Sequence, residues 1–317
     1  MRPLQFEVAA SGIDTAEGIA IADDGTIWLS RHGDVVSWSP ASGFGTAWPA
    51  IAPAGIALDG KGGLIVAGMG LLGGTPGPLQ RLDLGTGART LLVEEIGGRT
   101  LVASNFPVVA RDGTIYCSHS SWGPAQNIGR RDGNGFIYRY SDGMAVIVAE
   151  GLRGANGLCL DAAERYLYCA VTAEGRIRRW PIGTGGSLGA SELYGPPLGE
   201  VVDDHIIADI RAMAPMDRAR LGYCDGLAFD MAGNLWVTLP FANRLVAITP
   251  DGKLAEIVHD PLGAVISMPT NIAWGGADRR DLYVVNRGAG TLAVARTEEA
   301  GLALAGAQPA RNAARIE

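Results

Sequence analysis

The sequence predicts an all-β protein, a six-bladed β-propeller with four-stranded antiparallel blades around a central channel. Three observations carry the prediction. One hairpin phrase recurs six times, each copy is followed by further strand patterns, and helical periodicity is weak almost throughout. A chain of 317 residues exceeds the usual size of one hydrophobic core, so it calls for two domains or a repetitive architecture. The repeats select the second, a single propeller domain over 1–317.

The six copies are "EGIAIADDGTIWLS" from Glu17, "AGIALDGKGGLIVAG" from Ala54, "NFPVVARDGTIYCS" from Asn105, "NGLCLDAAERYLYCAV" from Asn156, "DGLAFDMAGNLWVT" from Asp225 and "TNIAWGGADRRDLYVVN" from Thr270. Each is an apolar run, a polar turn and a second run rich in β-branched and aromatic residues, which is a hairpin signature. Third strands follow, among them "DVVSWSP", "FIYRYS" and "RLVAITP". Fourth strands follow D-G turns in "YRYSDGMAVIVAE" and "VAITPDGKLAEIV". Four strands in each of six units make the propeller. Blade four carries the longest insertion, within which "IIADIRAM", residues 206–213, predicts a short helix. Residues 4–10, "LQFEVAA", suit an N-terminal strand that closes the ring on the last blade.

Composition bounds the partners. A net charge of −7 and the absence of a basic run longer than "RIRRW" exclude nucleic acid, which needs clustered Lys and Arg. No apolar run approaches the roughly 20 residues that span a bilayer, so no membrane partner is expected. The start "MRPLQFEVAA" shows no apolar signal-peptide core. Cys117, Cys159, Cys169 and Cys224 form no C-x-x-C pair and read as buried thiols. A cytoplasmic protein acting on a small-molecule substrate is the expectation.

The register of the phrase places one residue per blade just before the innermost strand: Glu17, Ala54, Asn105, Asn156, Asp225 and Thr270. In a four-stranded meander these positions face one mouth of the channel. Five of the six bear a polar oxygen and two are carboxylates. Carboxylates crowded at one mouth repel each other and lose solvation, and a divalent cation relieves both. Oxygen ligands suit a hard ion, and without Cys or His on the ring a closed structural zinc site is not expected. Asp230, at the far end of its strand, reads as turn chemistry.

The phrases "AEGIA", "GANGLCLD", "CDGLAFDMAGNLWV" and "MPTNIAWGG…DLYVV" resemble the regucalcin and gluconolactonase (senescence marker protein) family of six-bladed propellers. The resemblance covers most of the chain. It implies that Glu17, Asn156 and Asp225 hold one divalent metal ion (Ca²⁺, Zn²⁺, Mg²⁺, Mn²⁺ or Fe²⁺) and that Asn105 approaches it through water or substrate. Squid-type diisopropylfluorophosphatase uses a similar Glu, Asn, Asn, Asp set. One departure concerns the substrate. Sugar-lactone hydrolases of the family commonly carry Arg two residues before the blade-three Asn and Asp after it, whereas this chain reads "VASNFP", with Ala103 and Phe106 there.

The loops on the same face include "SRHGD" with Arg31, "SHSSWGPAQNIGRRDGNG" and "NRGAG" with Arg287. The long Gly-rich one is a candidate lid. Asn105, Phe106, His119 and Trp122 are the expected substrate contacts. "SHSS" is not a nucleophile elbow, so a serine triad is not expected. Asp203, Asp204 and His205 read as a solvated loop. The function expected is a metal-dependent lactonase acting on a less polar lactone, with Asp225 as general base. A phosphotriesterase-like hydrolase and a non-catalytic calcium- or ligand-binding propeller are the alternatives.

Overall fold

The structure, a computed structural model, describes residues 2–124, 133–202 and 207–303. Their strands form six four-stranded antiparallel sheets, as the repeats predict. Blade one runs Ile19–Ile21, Ile27–Arg31, Asp34–Ser39 and Gly43–Pro49 from the axis outward. The innermost strands of blades two to five are Pro53–Leu58, Ser104–Val109, Ala155–Leu160 and Leu227–Phe229. Blade six takes Pro269–Gly275, Asp281–Asn286 and Thr291–Arg296 from the end of the chain and its outer strand, Glu7–Ser11, from the beginning. The ring therefore closes by the predicted exchange, with the strand set slightly later than residues 4–10.

Second strands are buried along their whole length, as in Gly63–Gly68, Ile115–His119 and Leu235–Leu239. A blade in mid-ring packs on neighbours at both faces, so these strands read as continuous apolar runs rather than alternating ones. Outer strands alternate or face water, as in Gly43–Pro49. The core is correspondingly divided into interblade layers. Ile65 and Leu79 of blade two pack with Tyr138 and Cys117 of blade three. Tyr168 and Ile177 of blade four pack with Phe229 and Val237 of blade five. Trp236 and Trp274 meet edge to face at 5.2 Å between blades five and six. All four cysteines are free and buried within these layers.

The hairpin turns repeat one device. Asp59, Asp161 and Asp230 each accept a backbone N–H four residues on, from Gly63, Arg165 and Asn234. Asp230 also accepts Trp236 Nε1–H at 2.9 Å, so its role in the turn is as expected. The blade-four insertion contains the predicted helix as Ile207–Ala212, followed by Pro215–Arg218. Ile210, Leu221 and Tyr223 pack with Ala173 there. No helix among the described residues is long and apolar enough to cross a membrane.

One element was not foreseen. Glu95–Ile96 and Arg99–Thr100 form a small hairpin between blades two and three. Its turn is Gly97-Gly98, both at positive φ, a conformation glycine adopts without steric cost.

Candidate active site on the inner-strand ring

The six ring residues stand where the inner strands are irregular or have not yet begun. The ladder slips between Pro53 and Ile56, Ser104 and Pro107, Ala155 and Leu158, and Pro269 and Asn271. In blades one and five the regular strand starts two residues after Glu17 and Asp225. A bulge at this point bends the strand and re-aims the side chain.

The glycine that follows several ring residues has a steric reason. A Cβ on Gly18 would lie 2.4 Å from the carbonyl oxygen of Ala54, and one on Gly157 would lie 2.2 Å from that of Asp225. Gly55 meets Asn105 in the same way, and Gly226 meets Thr270. The ring is therefore a set of touching backbones. Two hydroxyls complete it. Thr270 Oγ1 donates to the carbonyl of Ala16 at 3.3 Å, and Ser120 Oγ donates to that of Ala155 at 2.8 Å. Second-strand hydroxyls brace it from behind: Ser30 accepts Gly18 N–H and Thr238 accepts Gly226 N–H, at 2.7 and 2.8 Å.

The side chains carry distinct electrostatic loads. Glu17 is paired with the guanidinium of Arg287. Arg287 is largely buried, and loss of solvation pulls its pKa below the ordinary value. Asp225 has no such partner. Desolvation pushes its carboxyl up to about 8, against a hydrogen bond from Asn156 that pulls the other way. Asn156 donates from Nδ2 to Thr172 Oγ1 at 3.1 Å, while its Oδ1 is buried without a hydrogen-bond partner. Thr172 Oγ1 in turn donates to the carbonyl of Cys224 at 2.8 Å. Asn105 donates from Nδ2 to Ser120 Oγ at 2.8 Å.

This donor set fits a hard cation. An unpaired amide oxygen and a desolvated carboxylate both lack what a cation supplies, and Glu17 adds a second carboxylate. Among the described residues no cluster of three or more His, Cys, Asp or Glu could hold a metal ion, so a cation site on this ring would have to draw on an amide oxygen. Arg287 provides positive charge on the Glu17 side of the ring, a feature that the sequence indicated only by placing "NRGAG" on this face.

Of the four expected substrate contacts, Asn105 stands on the ring, His119 and Trp122 pack together in blade three, and Phe106 lies on the channel. His119 is completely buried, and its Nε2 accepts the N–H of Ala103 at 3.2 Å. Its ring sits 4.4 Å from both Trp122 and Phe136. Burial, reinforced by Arg99, pushes its pKa down to about 3, so it is a neutral packing histidine with no face open to substrate. Trp122 lies in the same stack, with the Arg99 guanidinium 4.0 Å from its ring centre. Phe106 lines the channel on the other side of the ring. Arg31 is held by Asp34 at 2.6 Å. Most of the candidate lid, residues 125–132, lies outside the described residues, as do Asp203, Asp204 and His205.

Comparison with known proteins agrees with the propeller fold. The family model of the SMP-30/gluconolactonase/LRE-like region matches residues 15–287, and the chain belongs to that family. The 6-deoxy-6-sulfogluconolactonase of Pseudomonas putida is 27% identical over 156 residues, 49% of this chain and 46% of that protein. The chain thus spans less than half the length of this curated relative. A gluconolactonase from Xanthomonas campestris shares the fold at TM-score 0.69 and 21% identity, over 92% of this chain and 89% of that one. So does regucalcin, a calcium-binding protein from Agrobacterium tumefaciens, at TM-score 0.69 and 18% identity, over 95% and 98%.

Proposed function

We propose, from membership of the SMP-30/gluconolactonase/LRE-like family, that this protein is a divalent-metal-dependent lactonase with its site on the inner-strand ring. One observation carries the reading. The buried, unpaired Oδ1 of Asn156 and the desolvated carboxyl of Asp225 lie on the ring that also bears Glu17. Burying an amide oxygen without a partner costs about 1–3 kcal/mol, the desolvated carboxylate adds its own penalty, and a cation held by all three residues would remove both.

Glu17, Asn156 and Asp225 would hold the ion, and Asn105 would stand beside it. When bound, a hard divalent cation supplies Lewis-acid polarisation of a carbonyl oxygen. The chain supplies the rest. Asp225 would take the proton of the attacking water on a carboxylate oxygen, the ionised form that a neighbouring cation favours. Asn105 has committed Nδ2 to Ser120, which fixes its amide plane and leaves Oδ1 to orient water or substrate. Arg287 neutralises Glu17 and keeps a positive charge at the site where negative charge develops on the acyl oxygen.

The reading of the substrate class draws on position 103. Ala103 is completely buried and offers no side-chain donor to a polyhydroxylated ring. A lactone with few hydroxyls is therefore favoured, since each hydroxyl buried without a partner weakens binding. The test is turnover of a lactone panel after chelation and after return of each divalent ion. Activity that survives complete chelation, or no turnover of any lactone with metal restored, would refute the reading.

A further inference from the structure

Arg287 follows Asn286 at the end of the second strand of blade six, Asp281–Asn286. Its stem is fixed from several sides. Arg287 N–H donates to the carbonyl of Met268 at 3.1 Å, Gly288 N–H to that of Ser267 at 3.0 Å, and Asn286 Nδ2 to that of Val265 at 2.9 Å. From this base the guanidinium reaches across the ring closure to Glu17. Among the described residues that carboxylate is the only side chain bonded to it, through one N–H of a group that carries five. Arg287 and Glu17 keep 23% and 22% of their side-chain surface exposed, so a molecule entering the mouth can reach the pair.

The charges do not balance once the ring holds a cation. A divalent ion offsets the ionised carboxylates of Glu17 and Asp225, two charges against two, and the charge of Glu17 is then committed to the ion. One positive charge, that of Arg287, is left over. Nearby charges do not absorb it: Arg31 is held by Asp34 and Glu174 by Arg178, Arg99 lies on Trp122, and Asp14 is exposed to solvent. The negative charge on the acyl oxygen develops only during the reaction. In the resting complex a largely desolvated guanidinium therefore lacks a counterion, which is costly.

We propose that Arg287 selects the substrate, and that the substrate is an acidic lactone whose ring carries one carboxylate, bound by the guanidinium through a pair of parallel N–H···O bonds. The planar fork matches two carboxylate oxygens, and a single negative charge matches the surplus. Such a group adds charge rather than hydroxyls, in keeping with the buried alanine at position 103. The inference rests on the metal-dependent lactonase reading for the ring, and on Arg287 for the charge of the substrate. It also makes anion and metal cooperative. One draws Arg287 from the pair and the other draws Glu17, so each tightens the binding of the other by the same factor.

The test measures binding without turnover. The probe is cyclopentanone-3-carboxylate, the carbocycle in which a methylene replaces the ring oxygen of γ-carboxy-γ-butyrolactone. It is compared with its carboxamide by titration calorimetry on the full chain, with Ca²⁺, Mg²⁺, Mn²⁺ or Zn²⁺ saturating and with chelator instead. With an ion that the protein binds, the carboxylate should bind about tenfold tighter than the amide, and tighter than it does in chelator. Arg287→Gln should bring the two probes within about twofold of each other, and Arg287→Lys, which keeps the charge and loses the fork, should retain part of the preference. γ-Carboxy-γ-butyrolactone and its carboxamide should show the same ratio in kcat/KM, carried mainly by KM. Circular dichroism establishes that each variant is folded. Equal affinity for the two probes in the parent, a preference that survives Arg287→Gln, or no gain in carboxylate affinity with any ion would overturn the proposal. Equal turnover of the acidic and neutral lactones would overturn it and leave the lactonase reading intact. Arg287-dependent binding of the acidic probe with no lactone turned over would refute the lactonase reading and uphold the assignment of Arg287.

Discussion

Asp225→Asn separates the two roles that a ring carboxylate can play. In the metal-free protein desolvation holds the carboxyl proton up to about pH 8, against an unfolded value near 4. The folded state therefore keeps a proton that the unfolded state has lost. This contribution to stability is complete below pH 4 and is lost as pH rises through 8. Between pH 6.5 and 8 the full linkage is at most about 2 kcal/mol, at 1.36 kcal/mol per pH unit. Asp225 is only partly enclosed, so solvent screening reduces this to about 1 kcal/mol. Asparagine has the shape of the protonated acid and no proton to lose. With chelator present, the parent should lose about 1 kcal/mol relative to Asp225→Asn across that window, roughly 2 °C in Tm for a chain of this size. The window lies above the range in which neutral His119 opposes it, because that histidine costs stability as pH falls below about 6.5. With saturating metal the order reverses. A cation at 100 times its Kd adds about 2.7 kcal/mol to the parent, the variant gains much less, and turnover is abolished. Calorimetry at four pH values with and without metal, beside lactone turnover, measures all of this. A parent–variant difference that stays flat from pH 6.5 to 8, or a fully active variant with normal metal content, would refute the reasoning.

Three further outcomes follow. Arg287→Gln frees Glu17 from its guanidinium partner and should tighten divalent-ion binding about tenfold by titration calorimetry, with a lower kcat if the arginine also serves the acyl oxygen. His119→Phe should lower stability by about 1–3 kcal/mol, because Ala103 N–H loses its acceptor, while kcat/KM is unchanged; a large loss of kcat/KM in a folded variant would place the imidazole at the substrate. Across gluconolactone, a pentonolactone and unsubstituted or aromatic lactones at saturating metal, kcat/KM should be highest for the least hydroxylated rings, and a clear advantage for the sugar lactones would show that groups other than a residue at 103 receive the hydroxyls.

The fold and the ring were legible because both are written as local patterns repeated six times. The turn fixes the register of each hairpin, and the register fixes which residue precedes the inner strand. Glu17, Asn105, Asn156 and Asp225 could be aligned on that basis without any knowledge of how far apart the blades lie. Their convergence then needed only the glycines, which the structure explains by contact with the next blade. What the hairpin register did not contain was the direction of side chains one step away from it. Phe106 directly follows a ring residue, and that single step takes its side chain to the channel side of the ring. His119 ends a second strand on the expected face, but the hairpin around Gly97-Gly98 packs over that end and carries Arg99 onto Trp122. The Gly-Gly turn was a readable signal, and with it the burial of His119 and Trp122 could have been anticipated. The Glu17–Arg287 pair was of another kind. It joins residues 270 apart through ring closure, and no pattern in either segment names the other.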